Sequence, residues 1–135
     1  MEIINVSTKK RNEFIDISSK LKEIVKKSQS KQGICLLSCA HTTAALTINE
    51  NADPAVCEDI INYLNQLVPA GKGYRHREGN SDSHIKSSLL GPTLELIIEN
   101  NEIVLGTWQG IYFCEFDGPR ERKVYVKIIE KQNRG

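Results

Sequence analysis

Charge of one sign, aromatic side chains and long apolar runs are all scarce in this chain. Eighteen Lys and Arg face 17 Asp and Glu, a net charge of +1, so no global field selects nucleic acid or an anionic membrane. Any basic site must be local. No apolar stretch approaches the ~18 residues a membrane helix needs. Met1 to Val6 lacks the basic, apolar and small-residue regions of a signal peptide, and the expected location is the cytoplasm. The cysteines, Cys35, Cys39, Cys57 and Cys114, have no zinc or redox spacing and read as buried free thiols. There is no glycine-rich P-loop, no Gly-x-Ser-x-Gly elbow and no His-Glu-x-x-His pair, which removes the diagnostic forms of those chemistries.

What is present suits one compact domain over residues 1–135 with a real hydrophobic core. Glu2–Ser7 and Glu13–Ile17 have extended character. A helix starts near Asp16 or Ser18, carries Ile17, Leu21, Ile24 and Val25 at helical spacing, and stops before Gly33. Lys26, Lys27 and Lys31 crowd its end, where the helix dipole favours them. Ile34–Cys39 is nearly continuous in apolar residues, the mark of a strand covered on both faces. Ala44–Ile48 is another strand. Asp53-Pro54 opens a second helix with Val56, Ile60, Tyr63, Leu64 and Leu67 as one apolar stripe. After a long loop, Pro69–Ser81, a short helix from about Asp82 to Leu90 turns Ile85 and Leu89 inward. Strands at Thr93–Ile98, Ile103–Thr107, Ile111–Phe116 and Lys123–Glu130 follow, with a tight reversal at Gln109-Gly110. The expected class is α+β: a mixed, largely antiparallel sheet packed with about three helices.

Three clusters are dense in chemistry. In the first, His41 follows a buried strand and is followed by Asn49, Glu50, Asn51 and Asp53. A neutral imidazole there could bind a metal, take a proton, or simply bond to a neighbouring strand; Asp53 is a ligand or only a helix cap. In the second, Arg75, His76, Arg77, Asn80, Ser81 and His84 lie on a basic loop that runs into a helix N-terminus. Free backbone N–H groups and the helix dipole favour an anion there, and the dipole disfavours protonation of His84. The other reading is a solvated loop. The third is Gly106-Thr107-Trp108-Gln109-Gly110 with Glu115 to Arg122. Period-2 alternation puts Ile111, Phe113 and Glu115 on one face and Tyr112, Cys114 and Phe116 on the other. A carboxylate on an apolar face needs a partner: Arg120 is the first candidate, and Arg122, a histidine or a metal are the others. Trp108 is a lid over a flat ligand or a core or interface aromatic.

Taken together the clusters resemble one family. HTTAALTINENADP (His41–Pro54), Gly79-Asn80 with His84, LGTWQGI (Leu105–Ile111) and EFDGPRERKVYV (Glu115–Val126) stand in the order and spacing of the YjbQ-like family, also called secondary thiamine-phosphate synthase. Two departures are a short loop before Asn80 and Ser81-Asp82-Ser83 where small apolar residues are common; the latter should only add an N-cap. The resemblance implies a small α+β domain assembling as a homotrimer. It also implies a weak activity joining a pyrimidine methyl pyrophosphate to a thiazole phosphate, with release of pyrophosphate. Its motif positions fall on His41, Asn49, Glu50, Asp53, His76, Asn80, His84, Trp108, Gln109, Glu115, Asp117 and Arg120. In the transferase reading His41, His84 and Glu115 are catalytic. Arg75, Arg77, Asn80, Ser81, Trp108, Gln109 and Arg120 hold the phosphorylated substrate, with Mg²⁺ or another divalent metal on Glu50, Asp53 or Glu115. In the alternative reading the protein binds a metal or small anion, or is a metal-dependent hydrolase, with His41, His76 and His84 as ligands. Neither reading involves nucleic acid or a membrane.

Overall fold

The computed structural model describes residues 1–71 and 73–132. In chain order the elements are β1 (Glu2–Ser7), β2 (Glu13–Asp16), α1 (Ser18–Ser28), β3 (Gln32–Cys39), β4 (Ala44–Glu50), α2 (Pro54–Leu67), α3 (Ser81–Leu90), β5 (Thr93–Glu99), β6 (Glu102–Ile103), β7 (Gln109–Glu115) and β8 (Glu121–Glu130). A five-stranded sheet runs β1-β8-β3-β5-β6 and a three-stranded sheet runs β2-β7-β4. Every strand pairing is antiparallel. The α+β class is as expected, but the strands divide between two sheets.

The main core lies between the sheets and α1, where Leu21 and Val25 meet Leu37, Leu46, Phe113, Val124 and Val126. A second cluster covers the other face of the small sheet: Ala45, Tyr112, Cys114 and Phe116 pack with Leu64, Ile60 and Cys57 of α2. The predicted alternation along β7 therefore holds, and β7 is the strand covered on both faces. β3, expected to be that strand, alternates instead, with Ile34 44% exposed. The cause is position. β7 is the middle strand of a sheet with layers on both sides, whereas no described element covers the outer face of the large sheet.

Caps and helix faces differ in four further places. Ile17, not Asp16 or Ser18, is the N-cap of α1, although Asp16 Oδ1 accepts a hydrogen bond from Ser18 N at 2.8 Å. α1 ends at Gln29 in the left-handed conformation, so Gly33 is not its stop; it lies within β3, where a Cβ would collide with Ile129 O of β8. The stripe on α2 is split: Leu64 is buried while Tyr63 and Leu67 are exposed. α3 is inverted. It buries Asp82, Ser83, Lys86 and Ser87 and exposes Ile85 and Leu89. Its buried polar groups are all matched: Ser83 Oγ donates to Phe116 O and Ser87 Oγ to Ala44 O, each at 2.6 Å.

Cys35, Cys39 and Cys114 are buried and Cys57 is half-buried; all four are free thiols. Burial pushes the Cys35 thiol up to about 11, and raises Cys39 and Cys114 too, which suits packing rather than reactivity. No helix is long and apolar enough to cross a membrane among the described residues.

Candidate functional site

The Glu115 carboxylate organises one corner of the molecule. It sits at the end of β7, fully buried on the apolar face that alternation assigned to it. Its partner is Arg122, not Arg120. Arg122 Nε donates to Glu115 Oε2 at 2.8 Å, and Nη2 donates to Glu115 Oε1 and to Thr43 Oγ1. The reason is again period 2: Arg122 shares the inward face of β8 with Val124 and Val126, whereas Arg120 precedes the strand. Thr8 Oγ1 completes the shell at 2.9 Å. Burial by itself raises the Glu115 pKa, but Arg122, the Asp117 N–H and Thr8 outweigh it, and the carboxyl stays below its ordinary value.

From this pair the turn at residues 117–120 is aimed. Asp117 N donates to Glu115 Oε1 at 2.9 Å, and Arg120 N donates to Thr8 Oγ1 at 2.9 Å. Gly118 is required here, because a Cβ would run into Lys10 O, Thr8 Oγ1 and Glu115 Cγ. The turn then presents a polar series. Arg120 Nη2 donates to Asp117 Oδ2 at 3.0 Å, Asn80 Nδ2 donates to the same oxygen at 2.9 Å, and Asn80 Oδ1 accepts from His76 Nε2 at 3.0 Å. His84 lies one turn into α3, with its ring 5.5 Å from that of His76 and nearly perpendicular to it. Arg75, Arg77 and Ser81 are on the same segment; both arginines are exposed, and neither forms an ion pair among the described residues.

His41 is placed differently. Its Nε2 accepts a hydrogen bond from Lys123 N at 3.0 Å, which puts the ring proton on Nδ1. Burial first, and the charge of Arg122 second, depress its pKa. It is thus a neutral side chain bracing the start of β8, and Nε2 is not available to a metal or a substrate proton.

The remaining predicted residues lie at the other end of the small sheet. Ala44 pairs with Glu115 at one end and Glu50 with Gln109 at the other, roughly 20 Å away at about 3.3 Å per residue. Glu50, Asp53, Trp108 and Gln109 are therefore not gathered with His84 and Glu115 within one chain. Asp53 Oδ1 accepts from Ala55 N at 2.9 Å, so this carboxylate caps α2. The strand expected at Ile103–Thr107 shortens to Glu102–Ile103, and the chain reverses at Thr107-Trp108. Gln109 closes that loop itself: its backbone N donates to Gly106 O, and its Oε1 accepts from Gly106 N at 2.8 Å. Among the described residues no three His, Cys, Asp or Glu side chains are grouped to hold a metal. The five predicted ligands do not form one centre, although His76 and His84 adjoin.

Sequence reasoning missed Arg11, Asp82 and Lys86. Arg11 Nη1 and Nη2 grip both oxygens of Asp82 at 2.9 and 3.0 Å. Lys86 Nζ, 1% exposed, donates to Asp82 Oδ2 at 3.2 Å and to Asn65 Oδ1 at 2.6 Å. Asp82 is therefore not a cap, since the N-cap of α3 is Asn80 and no side chain caps it; Asp82 instead anchors the helix that carries His84. The i, i+4 spacing of Asp82 and Lys86 was a visible signal for their pairing. Nothing local pointed to Arg11.

Residues 2–131 match the family described as UPF0047 protein YjbQ-like. A UPF0047 protein of Methanocaldococcus jannaschii is 52% identical over 124 residues, covering 92% of this chain and 90% of its own. The UPF0047 protein YugU of Bacillus subtilis is 44% identical over 130 residues, covering 96% of this chain and 98% of its own. The crystal structure of an uncharacterised YjbQ/UPF0047-family protein from Clostridium acetobutylicum superposes with a TM-score of 0.94 at 50% identity, covering 96% of this chain and all of its own. The match spans both sheets and all three helices, so the chain belongs to the YjbQ-like UPF0047 family.

Proposed function

We propose that the protein binds a small phosphorylated substrate at the corner between the 75–84 segment and the 117–120 turn and moves a proton there. The observation that carries this is the series Arg120–Asp117–Asn80–His76, with His84 beside it. Arg120, with Arg75 and Arg77 on the loop, supplies charge-assisted donors for phosphate oxygens. Asp117 orients Asn80, which holds His76 by Nε2 and leaves Nδ1 for a substrate proton. In the finer form suggested by the family resemblance, the reaction joins a pyrimidine methyl pyrophosphate to a thiazole phosphate and releases pyrophosphate. Purified protein given both substrates and Mg²⁺ is expected to form thiamine phosphate, and His84→Ala to lose at least about 100-fold of that rate. Formation no faster than in His84→Ala would reject the transferase.

The adjoining rings of His76 and His84 favour a second reading, a divalent transition metal held by both. Such an ion would supply a Lewis acid or an acidified water. Elemental analysis of protein purified without a histidine tag would then show metal in proportion to protein, and His76→Ala would abolish it.

The homotrimer implied by the resemblance has one support in this chain. Ile34 pairs in register with Ile97 on one side and Ile129 on the other, and all three are exposed on the outer face of the large sheet. Adjacent exposed isoleucines of this kind suit a subunit contact. Light scattering is expected to give three times the chain mass, and Ile34→Lys to shift it to the monomer; a monomeric parent protein would refute the assembly.

A further inference from the structure

The stretch Gly106–Gln109 is dense in chemistry, yet the corner site does not use it. Its Gly106, Thr107 and Gln109 line a half-open cleft of about 630 Å³ whose other wall is α1 and the turn at residues 100–102. The lining is mostly polar and includes Lys22, Lys26, Asn51, Asn101, Glu102 and Gln109. Lys22 and Lys26 stand one turn apart on the same side of α1. Lys27, by contrast, faces away and is paired with Glu23 at 2.8 Å. Lys26 has no ion-pair partner among the described residues, and Lys22 acts only at longer range on Asp16. Asn101 spends both amide hydrogens on Val25 O and Ser30 O. Asn51 Nδ2 donates to Asp16 Oδ2 at 3.2 Å. The Gln109 amide has its oxygen committed to Gly106 N, which fixes the group and leaves its NH₂ to donate. The unspent groups include two ammonium groups and the Gln109 NH₂, with the amide of Asn100 and the hydroxyl of Thr107 beside them, against the single carboxylate of Glu102. That surplus of donors and positive charge matches an anion with several acceptor oxygens.

We propose that this cleft is a second ligand site, separate from the corner site, for a small organic anion bearing phosphate or carboxylate. It lies about the length of β7, roughly 20 Å, from Glu115, so one small molecule cannot span both within a chain. The site does not depend on the reaction assigned to the corner.

Trp108, the lone tryptophan, does not line the cleft but is exposed between two residues that do, Thr107 and Gln109, and serves as a nearby fluorescent probe. The test titrates intact protein with orthophosphate, pyrophosphate and citrate up to about 10 mM, followed by Trp108 fluorescence and by calorimetry. At least one anion is expected to bind saturably, and the one that does distinguishes the phosphate source from the carboxylate source. The double variant Lys22→Ala/Lys26→Ala should weaken it by about tenfold or more, while Lys27→Ala should leave it unchanged. Both altered lysines are exposed, so the double variant should keep the parent melting temperature. No saturable binding of any of the three anions overturns the proposal. So does binding that survives the double variant, or that is lost in Arg77→Ala instead, which would assign the anion to the corner site. Absence of thiamine-phosphate formation bears only on the corner.

Discussion

Glu115→Ala is expected to destabilise the fold by about 3–5 kcal/mol, because it leaves the Arg122 guanidinium buried without a counter-charge. A loss of that size corresponds to roughly 10–20 °C in melting temperature for a chain of this length. Urea denaturation measures it directly. The damage extends beyond the pair, since Glu115 also receives the Asp117 N–H and the Thr8 hydroxyl that set the 117–120 turn. Replacing both members, as in Glu115→Leu/Arg122→Met, should recover much of the loss, because apolar groups of similar size can substitute for a buried ion pair. A single variant within about 0.5 kcal/mol of the parent would show that the pair is not what holds this corner.

The same carboxylate gives stability a pH dependence of known sign. Burial works against ionisation of Glu115 and of Asp82, but the bonds from Arg122 to the first and from Arg11 and Lys86 to the second prevail, and both carboxyls lie below their ordinary values. A depressed folded-state pKa means that the unfolded chain binds protons more readily. The stabilisation is then complete above the unfolded values, near pH 4, and is lost as pH falls through the lower folded ones. Glu115→Gln should flatten that acid limb.

Asp82→Asn is the second large effect, at about 3 kcal/mol, since it removes the common counter-charge of two cations. Lys86 is buried and would keep only Asn65, while Arg11 would lose both of its ionic contacts. α3 should loosen first, seen as faster amide hydrogen exchange over Ser81–Leu90 than over β7. Because His84 sits on α3, the substrate binding proposed for the corner should weaken in parallel. Uniform exchange across the chain would contradict the local role. Lys86→Met should cost less, as Arg11 still satisfies both oxygens of Asp82.

The contrast between β7 and α3 shows how far local pattern carries. Along β7 the pleat alternates side chains, and Ile111, Phe113 and Glu115 fall together against the main core as period 2 requires. At Asp53-Pro54 an N-cap carboxylate and a pre-set φ start α2 where expected. These effects act within a few residues and need no knowledge of the rest of the chain. α3 has an equally readable pattern, yet its apolar Ile85 and Leu89 face outward. Its burial is decided by Arg11, 71 positions before Asp82, and by carbonyls on β4 and at the end of β7.

The stretch from Gly106 to Arg122 divides in the same way. Its sequence by itself determined that Glu115 needs a cation and that the chain must reverse near Gln109, because alternation and turn chemistry are local. Tertiary structure alone decided that the cation is Arg122, that Thr8, 107 positions away, joins it, and that His41 braces a strand. It also set Trp108 and Gln109 a strand's length from Glu115. The physical reason is that buried charge is satisfied by whichever groups the packed sheets bring within hydrogen-bonding distance, and those groups come from remote parts of the chain.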